Sequence, residues 1–290
     1  MTRRRAWFAD PMARRIFTKL YRNVLSPRAC SVLGAERYAR LLGAFAVRLP
    51  AILRSRDLRP LDEAMSGADG EFRYRGVRFR LDMPFCDREV RDGSFAFGGV
   101  REICIRNCYF RHHDSSVFDS ARVVVDIGAN RGVFSTLMAT VASHVLCVEG
   151  QPHFGPVIER NMAVNHFRNY AVDCAVMGTG GILPGDSFRP LTMEQLFERH
   201  GLERVDLVKM DIEGSEFSLF KTGGWLERVA AISMEVHRAH GDPGLVIETL
   251  RSRGFEVRMA DENLGRVDDP GLTDFIYASR GRRSSGRAGS

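Results

Sequence analysis

The chain has 290 residues and an ordinary globular composition, 44% hydrophobic and 27% charged, which allows one large core and excludes a collagen-like or low-complexity protein. No apolar run reaches the ~18 residues that a bilayer span needs. The net charge of +6 is uneven: residues 1–60 hold 14 Lys+Arg against 3 Asp+Glu and 280–290 add 4 Arg, which leaves 24 basic and 33 acidic residues in 61–279. A nucleic-acid partner would need its basic footprint over the working site, so the acidic body argues against one.

In chain order, residues 1–60 are expected to be helical. Tyr38, Leu41, Leu42, Phe45, Leu49, Ile52 and Leu53 recur at helical spacing, with Arg37, Arg40, Arg48 and Arg54 largely off that stripe. Pro50 is expected to kink or restart the helix. Such a helix packs on the main domain or on a second subunit, and its arginines also suit peripheral contact with an anionic membrane. No long apolar core follows Arg3, Arg4 and Arg5, so a signal peptide is not expected and the default location is the cytoplasm. Residues 61–70 read as a linker. Apolar and polar residues then alternate on both sides of Arg75-Gly76, which predicts a hairpin. Residues 101–110 add a helix or strand, completing a pre-core segment, 61–119. None of the six cysteines forms a CxxC pair. Cys104 and Cys108, followed by His112 and His113, fit no common zinc spacing, so reduced structural thiols and no metal are expected there.

From about residue 120 strands and helices alternate. Strands are predicted at 123–126, 145–149, 170–176, 205–211, 230–237, 255–259 and 275–279. Helices are predicted at 133–141, 156–165, 192–200, after 211 and at 245–253. The pattern predicts an α/β domain over 120–280, with a parallel sheet and helices on both faces. The last two strands lack an intervening helix, which predicts an antiparallel edge. The Gly/Ser/Arg-rich tail 281–290 is expected to be disordered.

The first core strand runs into Asp126-Ile-Gly128-Ala129-Asn130-Arg-Gly132, a glycine-bearing turn that opens a helix. In open α/β sheets ligands sit at the carboxyl ends of the strands. Gly128 allows a sharp turn and a close approach, and a helix starting near Gly132 suits a carboxylate. Asp126 is placed to position an amine, directly or through water, and Asn130 is a short polar group at the turn. Glu149 ends the next strand, 21 residues after Gly128, the spacing of an acid that accepts from ribose hydroxyls. A dinucleotide fingerprint would need Gly where Asn130 stands and its third Gly one residue beyond Gly132. The loop therefore favours S-adenosylmethionine, which has the ribose, the carboxylate and the amine but no pyrophosphate.

A second constellation is Val205-Asp-Leu-Val-Lys-Met-Asp211-Ile-Glu213-Gly-Ser-Glu216. Asp211 and Glu213 share a face if strand conformation persists, and the next strand ends in Glu235 and His237. All four are expected on the sheet edge that carries the glycine turn. An alcohol must lose its proton to become a methyl acceptor, and a carboxylate or His within reach can take it. A divalent cation could instead lower the acceptor's pKa.

These stretches, with the Cys147-Val-Glu149-Gly-Gln151-Pro152 turn, Asn161, Asn165 and Met234-Glu-Val-His237, resemble the FkbM family of S-adenosylmethionine-dependent methyltransferases. The likeness spans roughly 95–279, and Lys209-Met-Asp-Ile-Glu-Gly214 is its most specific part. It implies a class I, Rossmann-like methyltransferase fold with a seven-stranded, mostly parallel sheet. It also implies O-methylation of a hydroxyl on a sugar, glycan precursor or natural product. Residues Asp126, Gly128, Ala129, Asn130, Gly132, Glu149 and Gln151 would then hold the cofactor, and Asp211, Glu213 and His237 would serve the acceptor. Family members usually have Glu-Pro where this chain has Glu149-Gly150-Gln151-Pro152, and a longer stretch than 178–190. The alternative is a non-catalytic scaffold of the same fold that binds a partner or membrane through its basic N-terminal helices.

Overall fold

The computed structural model describes residues 20–179 and 190–280. The expectations for Arg3 to Arg5, for the rest of 1–19, for most of the stretch before Pro190 and for the 281–290 tail lie outside them. The chain divides into two compact units. The first comprises Met1–Cys108, Ala129–Thr140 and Pro152–Val172, and the second Tyr109–Gly128, Val141–Gln151 and Asp173–Ser290.

In the first unit a long helix runs Pro27–Ser55. Ser26 caps it by accepting from the Ala29 N–H, and Pro27 occupies the first turn. Its break lies at Gly34, where φ is +72 and ψ is 168, and not at Pro50. Pro50 and Ala46 are both exposed, so water can satisfy the carbonyl that loses its intrahelical partner. Leu41 and Ile52 are buried, and most of the expected stripe is half-buried. Val47 and Leu53 are exposed, but they lie six residues apart, roughly 240° round the helix.

The predicted hairpin is present. Strand β1, Gly70–Tyr74, pairs antiparallel with β2, Val77–Leu81, and Tyr74 faces Val77. Arg75 and Gly76 both have positive φ, as a tight two-residue hairpin turn requires. Residues Arg101–Arg106 form a π-helical turn rather than a strand. Arg101 is buried there, donating to both carboxylate oxygens of Asp62 at 2.9 and 2.8 Å and to Asn23 at 2.8 Å. Burial pushes the Cys104 thiol up to about 12, so it stays protonated at neutral pH.

The main sheet has eight strands in the order β5-β4-β3-β6-β7-β10-β8-β9. They are β3 Val123–Ile127, β4 His144–Val148, β5 Tyr170–Asp173, β6 Val205–Met210, β7 Val229–Glu235, β8 Glu256–Ala260, β9 Arg266–Val267 and β10 Phe275–Ser279. Strands β4, β3, β6 and β7 run parallel. Their near-continuous Val/Leu/Ile runs are what a strand buried on both faces requires. Asp206, at the start of β6, accepts from the Arg122 and Val123 N–H groups and so sets the entry of β3. The expected antiparallel edge is present: β10 runs antiparallel between β7 and β8, and β9 pairs antiparallel with β8 at the rim. Four of the five β10 residues are buried, against two of five in β8, so the more apolar strand takes the inner place. The two-residue β9 is added to the seven expected strands by a turn at Asp261, whose carboxylate accepts from the Asn263 and Gly265 N–H groups. No helix among the described residues is long and apolar enough to cross a membrane.

Arg101→Met should lower the unfolding free energy in urea by roughly 3–5 kcal/mol, because it leaves the Asp62 charge buried without its partner. The double variant Arg101→Met/Asp62→Leu should lose clearly less than the single one.

Candidate functional site

In the second unit the carboxyl ends of β3, β4 and β6 are tied together by backbone. The Gly128 N–H donates to Val148 O at 2.9 Å, and the Asp211 N–H donates to Ile127 O at 3.0 Å. Gly128 has φ +76, and a Cβ there would lie 1.8 Å from the Asp211 carbonyl oxygen. Sequence reasoning asked this glycine to admit a ligand. The structure shows that it first admits the neighbouring strand.

Asp126 is wholly buried and sits opposite Lys209 in the parallel register. The Lys209 ammonium lies 3.2 Å from Asp126 Oδ1, donates to Gly128 O at 2.6 Å and stands 5.3 Å from the centre of the Tyr109 ring. Burial pushes the pKa of this ammonium down, but the charges of Asp126 and Asp211 outweigh it and hold it above its ordinary value. Asp126 thus has a protein cation where a cofactor amine was expected. Glu149 follows β4 and is buried. Its Oε1 accepts from the Gln151 N–H at 2.9 Å, which fixes the carboxylate at the end of the strand, while Gln151 itself is exposed.

The remaining predicted loop residues fall in the first unit. Ala129 is buried, and Asn130 is exposed at φ +50 with its Oδ1 accepting from the Arg131 N–H. Gly132 has φ +71, and a Cβ there would come within 3.1 Å of Ile158. The helix it opens, Val133–Met138, has only six residues, so little dipole accumulates at its N-terminus. The Arg131 guanidinium anchors the turn instead, reaching Asp92, the Ser94 hydroxyl and the Val90 carbonyl.

The second constellation does converge. Past β6 the chain turns through Glu213 at φ +50 and Gly214 at φ +99, where any Cβ would strike the His240 ring. Glu216 is fully buried. It accepts from the Gly214 N–H at 2.8 Å, from the His237 N–H at 2.7 Å and from His237 Nδ1 at 3.1 Å. This fixes Nδ1–H and turns His237 Nε2 outward, 3.9 Å from Asp211 Oδ1 and 3.4 Å from Glu213 Oε2. The Tyr109 hydroxyl donates to the other Asp211 oxygen at 2.9 Å. Asp211, Glu213 and His237 each place one donor atom within 4.8 Å of the others. The charge of Glu235 also acts on His237.

The hydrogen bond to Glu216 raises the His237 pKa to about 9, with burial opposing and the Glu216, Asp211 and Glu235 charges adding. Burial pushes the Glu216 carboxyl up, but its bonds to His237 outweigh that and lower it. Sequence reasoning passed over Lys209, Tyr109 and the anchoring role of Glu216. Lys209 carried a signal: it is one of three lysines in the chain and stands inside an apolar strand run, where an unpaired charge is costly.

Residues 187–257 match the methyltransferase FkbM domain. The resemblance carried by the motifs is borne out, and the chain carries a methyltransferase domain. The match includes β6, β7 and the Asp211–Glu216 turn and begins after the Gly128 loop. Methyltransferase sdnD of Sordaria araneosa is 24% identical, over 54% of this chain and 81% of its own. Two solved structures are also similar. An rRNA methylase from Streptococcus thermophilus has a TM-score of 0.41 at 11% identity, covering 61% of this chain and 95% of its own. A putative methyltransferase from Streptococcus mutans has a TM-score of 0.39 at 9% identity, covering 56% and 92%. The class I methyltransferase fold rests here on the strand order itself, five strands followed by the inserted antiparallel β10.

The raised His237 pKa has a stability consequence. The folded state binds this proton more tightly than the unfolded chain, so the stabilisation is full below about 6.5 and is lost as pH rises through about 9. Unfolding free energy should therefore fall across that window, and Glu216→Gln should flatten the fall. A ring titration by NMR checks it directly. Gly128→Ala should lower transferase activity at least roughly 100-fold, because even one methyl collides with the end of β6 and displaces Asp211.

Proposed function

We propose that this methyltransferase uses S-adenosylmethionine to methylate a hydroxyl oxygen on a sugar, glycan precursor or natural product. The observation that carries the reading is the 3.9 Å separation of His237 Nε2 and Asp211 Oδ1. It is too wide for a direct hydrogen bond and leaves room for a hydroxyl that bonds to both.

S-adenosylmethionine supplies, when bound, a methyl group already activated on a sulfonium sulfur. The donor set suits it. Glu149, Asp211 and Glu213 bring negative charge to one sheet edge, while Lys209 is buried and engaged with Asp126 and Gly128. Such an edge favours a cationic group and ribose hydroxyls over a pyrophosphate. Glu149 would hold the ribose, with Gln151 beside it, and the Gly128 backbone would line the approach. By sequence Ala129, Asn130 and Gly132 continue the same loop. Asp126 serves through Lys209, holding the turn rather than meeting the amine.

On the acceptor side Asp211 is the proton acceptor. Tyr109 occupies its Oδ2 and leaves Oδ1 facing His237. His237 stays cationic at neutral pH, so it orients the hydroxyl and offsets the carboxylate charge instead of taking the proton. Glu213 flanks the same space. Most of the acceleration comes from alignment, with proton removal contributing a factor of roughly 10²–10⁴.

A second reading has a specific observation in its favour. The 3.4 and 3.9 Å separations among His237 Nε2, Glu213 Oε2 and Asp211 Oδ1 also suit three ligands of one divalent cation. Glu216 on Nδ1 is the outer partner that metal-binding histidines usually have. Such a cation would lower the acceptor's pKa in place of Asp211.

Calorimetry with S-adenosylmethionine and labelled-methyl transfer to a panel of sugar and polyketide alcohols test the proposal. Binding, with the label on oxygen, is expected; no binding, or label on nitrogen or carbon, overturns it. Asp211→Asn should lower kcat roughly 100-fold or more while cofactor affinity stays within about twofold. Full activity after exhaustive chelation eliminates the cation reading, and loss that is restored by added Mg²⁺ or Mn²⁺ establishes it.

A further inference from the structure

We infer that Lys209 is a positioning residue that ties the Gly128 turn to the Asp211 carboxylate, and so sets the cofactor site against the acceptor site. The inference rests on the assignment of those two sites in the proposed function.

The geometry is a chain of contacts across the carboxyl ends of three strands. One ammonium meets Asp126 Oδ1 on β3, the Gly128 carbonyl in the turn and the face of the Tyr109 ring. Tyr109 then carries the link onward, because its hydroxyl donates to Asp211 Oδ2. Tyr109 is itself pinned from β7: its carbonyl accepts from the Ser233 hydroxyl at 2.7 Å, and Ser233 Oγ lies 2.9 Å from His113 Nε2. From the Gly128 carbonyl to Asp211 the path runs through two side chains, Lys209 and Tyr109, held on both sides.

Stability does not explain a lysine at this place. Replacing a buried ion pair by apolar side chains of similar volume is often neutral or stabilising. An ordinary β6 strand would carry Val, Leu or Met at 209, as it does at 205, 207, 208 and 210. What an apolar residue cannot do is hold the carbonyl of a turn whose N–H is already committed to β4. Nor can it attract a tyrosine ring by charge. A misplacement of about 1 Å between donor and acceptor costs on the order of 100-fold in rate, which is what this tie guards against.

The test uses Lys209→Met together with Asp126→Asn/Lys209→Met, in which no buried charge is left unpaired, so that folding is preserved while the tie is lost. Tyr109→Phe keeps the ring over the ammonium and removes only the bond to Asp211. Melting temperature, S-adenosylmethionine dissociation constant by calorimetry and kcat at saturating cofactor are measured for each. The expected result is a double variant that melts near wild type, with the dissociation constant raised at least tenfold and kcat reduced at least tenfold. Tyr109→Phe should lower kcat with the dissociation constant unchanged. A double variant with wild-type dissociation constant and kcat overturns the inference, whatever its melting temperature, because Lys209 would then only fill space. Wild-type protein that fails to bind S-adenosylmethionine overturns the proposed function, and this inference with it.

Discussion

The contact on which the second unit's edge depends is that of Gly128 with the Asp211 carbonyl. No side chain fits between them, so the turn after β3 and the turn after β6 form one packed layer. Two backbone hydrogen bonds brace that layer, Gly128 to Val148 and Asp211 to Ile127. Lys209 then brings one ammonium to the Asp126 carboxylate and the Gly128 carbonyl together. A glycine demanded by packing and a lysine that meets two acceptors are thus parts of one constraint. A side chain at 128 would collide with the Asp211 carbonyl.

The other side of that layer is organised by Glu216. A carboxylate with no solvent exposure is tolerable only when it is fully bonded. Gly214, the His237 backbone and the His237 ring provide those bonds. The same bonds fix the imidazole's tautomer, aim Nε2 outward and keep the ring charged well past neutrality. The chain therefore makes His237 a fixed cation among carboxylates. Asp211 has its other oxygen held by Tyr109, so it presents one defined lone-pair direction to that space.

Much of this was legible in the sequence, for identifiable reasons. The alternation of apolar strands with amphipathic helices gave the succession of elements along the chain, because period and length report local structure well. The Arg75-Gly76 hairpin was readable because its turn needs positive φ at both residues. The convergence of Asp211, Glu213 and His237 followed from their places at the ends of adjacent parallel strands. Three features were not readable. The position of β10 between β7 and β8 depends on which strand is the more deeply buried, which local pattern does not state. The break at Gly34 instead of Pro50 depends on exposure, since water can replace the bond that proline removes. The pairing of Asp126 with Lys209 is a register fact, linking residues 83 apart in sequence (126 and 209) that face each other only once β3 and β6 are aligned. For the same reason the reading of Asp126 as a cofactor contact did not include its contact with Lys209.

The central claim is that one sheet edge, built on the Gly128–Asp211 contact, brings a nucleoside cofactor and an acceptor hydroxyl into line. A crystal structure with S-adenosylhomocysteine tests it most directly. The account predicts ribose hydroxyls on Glu149, backbone of the Gly128 turn against the ligand, and the sulfur facing the space between Asp211 Oδ1 and His237 Nε2. A ligand bound elsewhere, or one whose sulfur points away from Asp211 and His237, would contradict it.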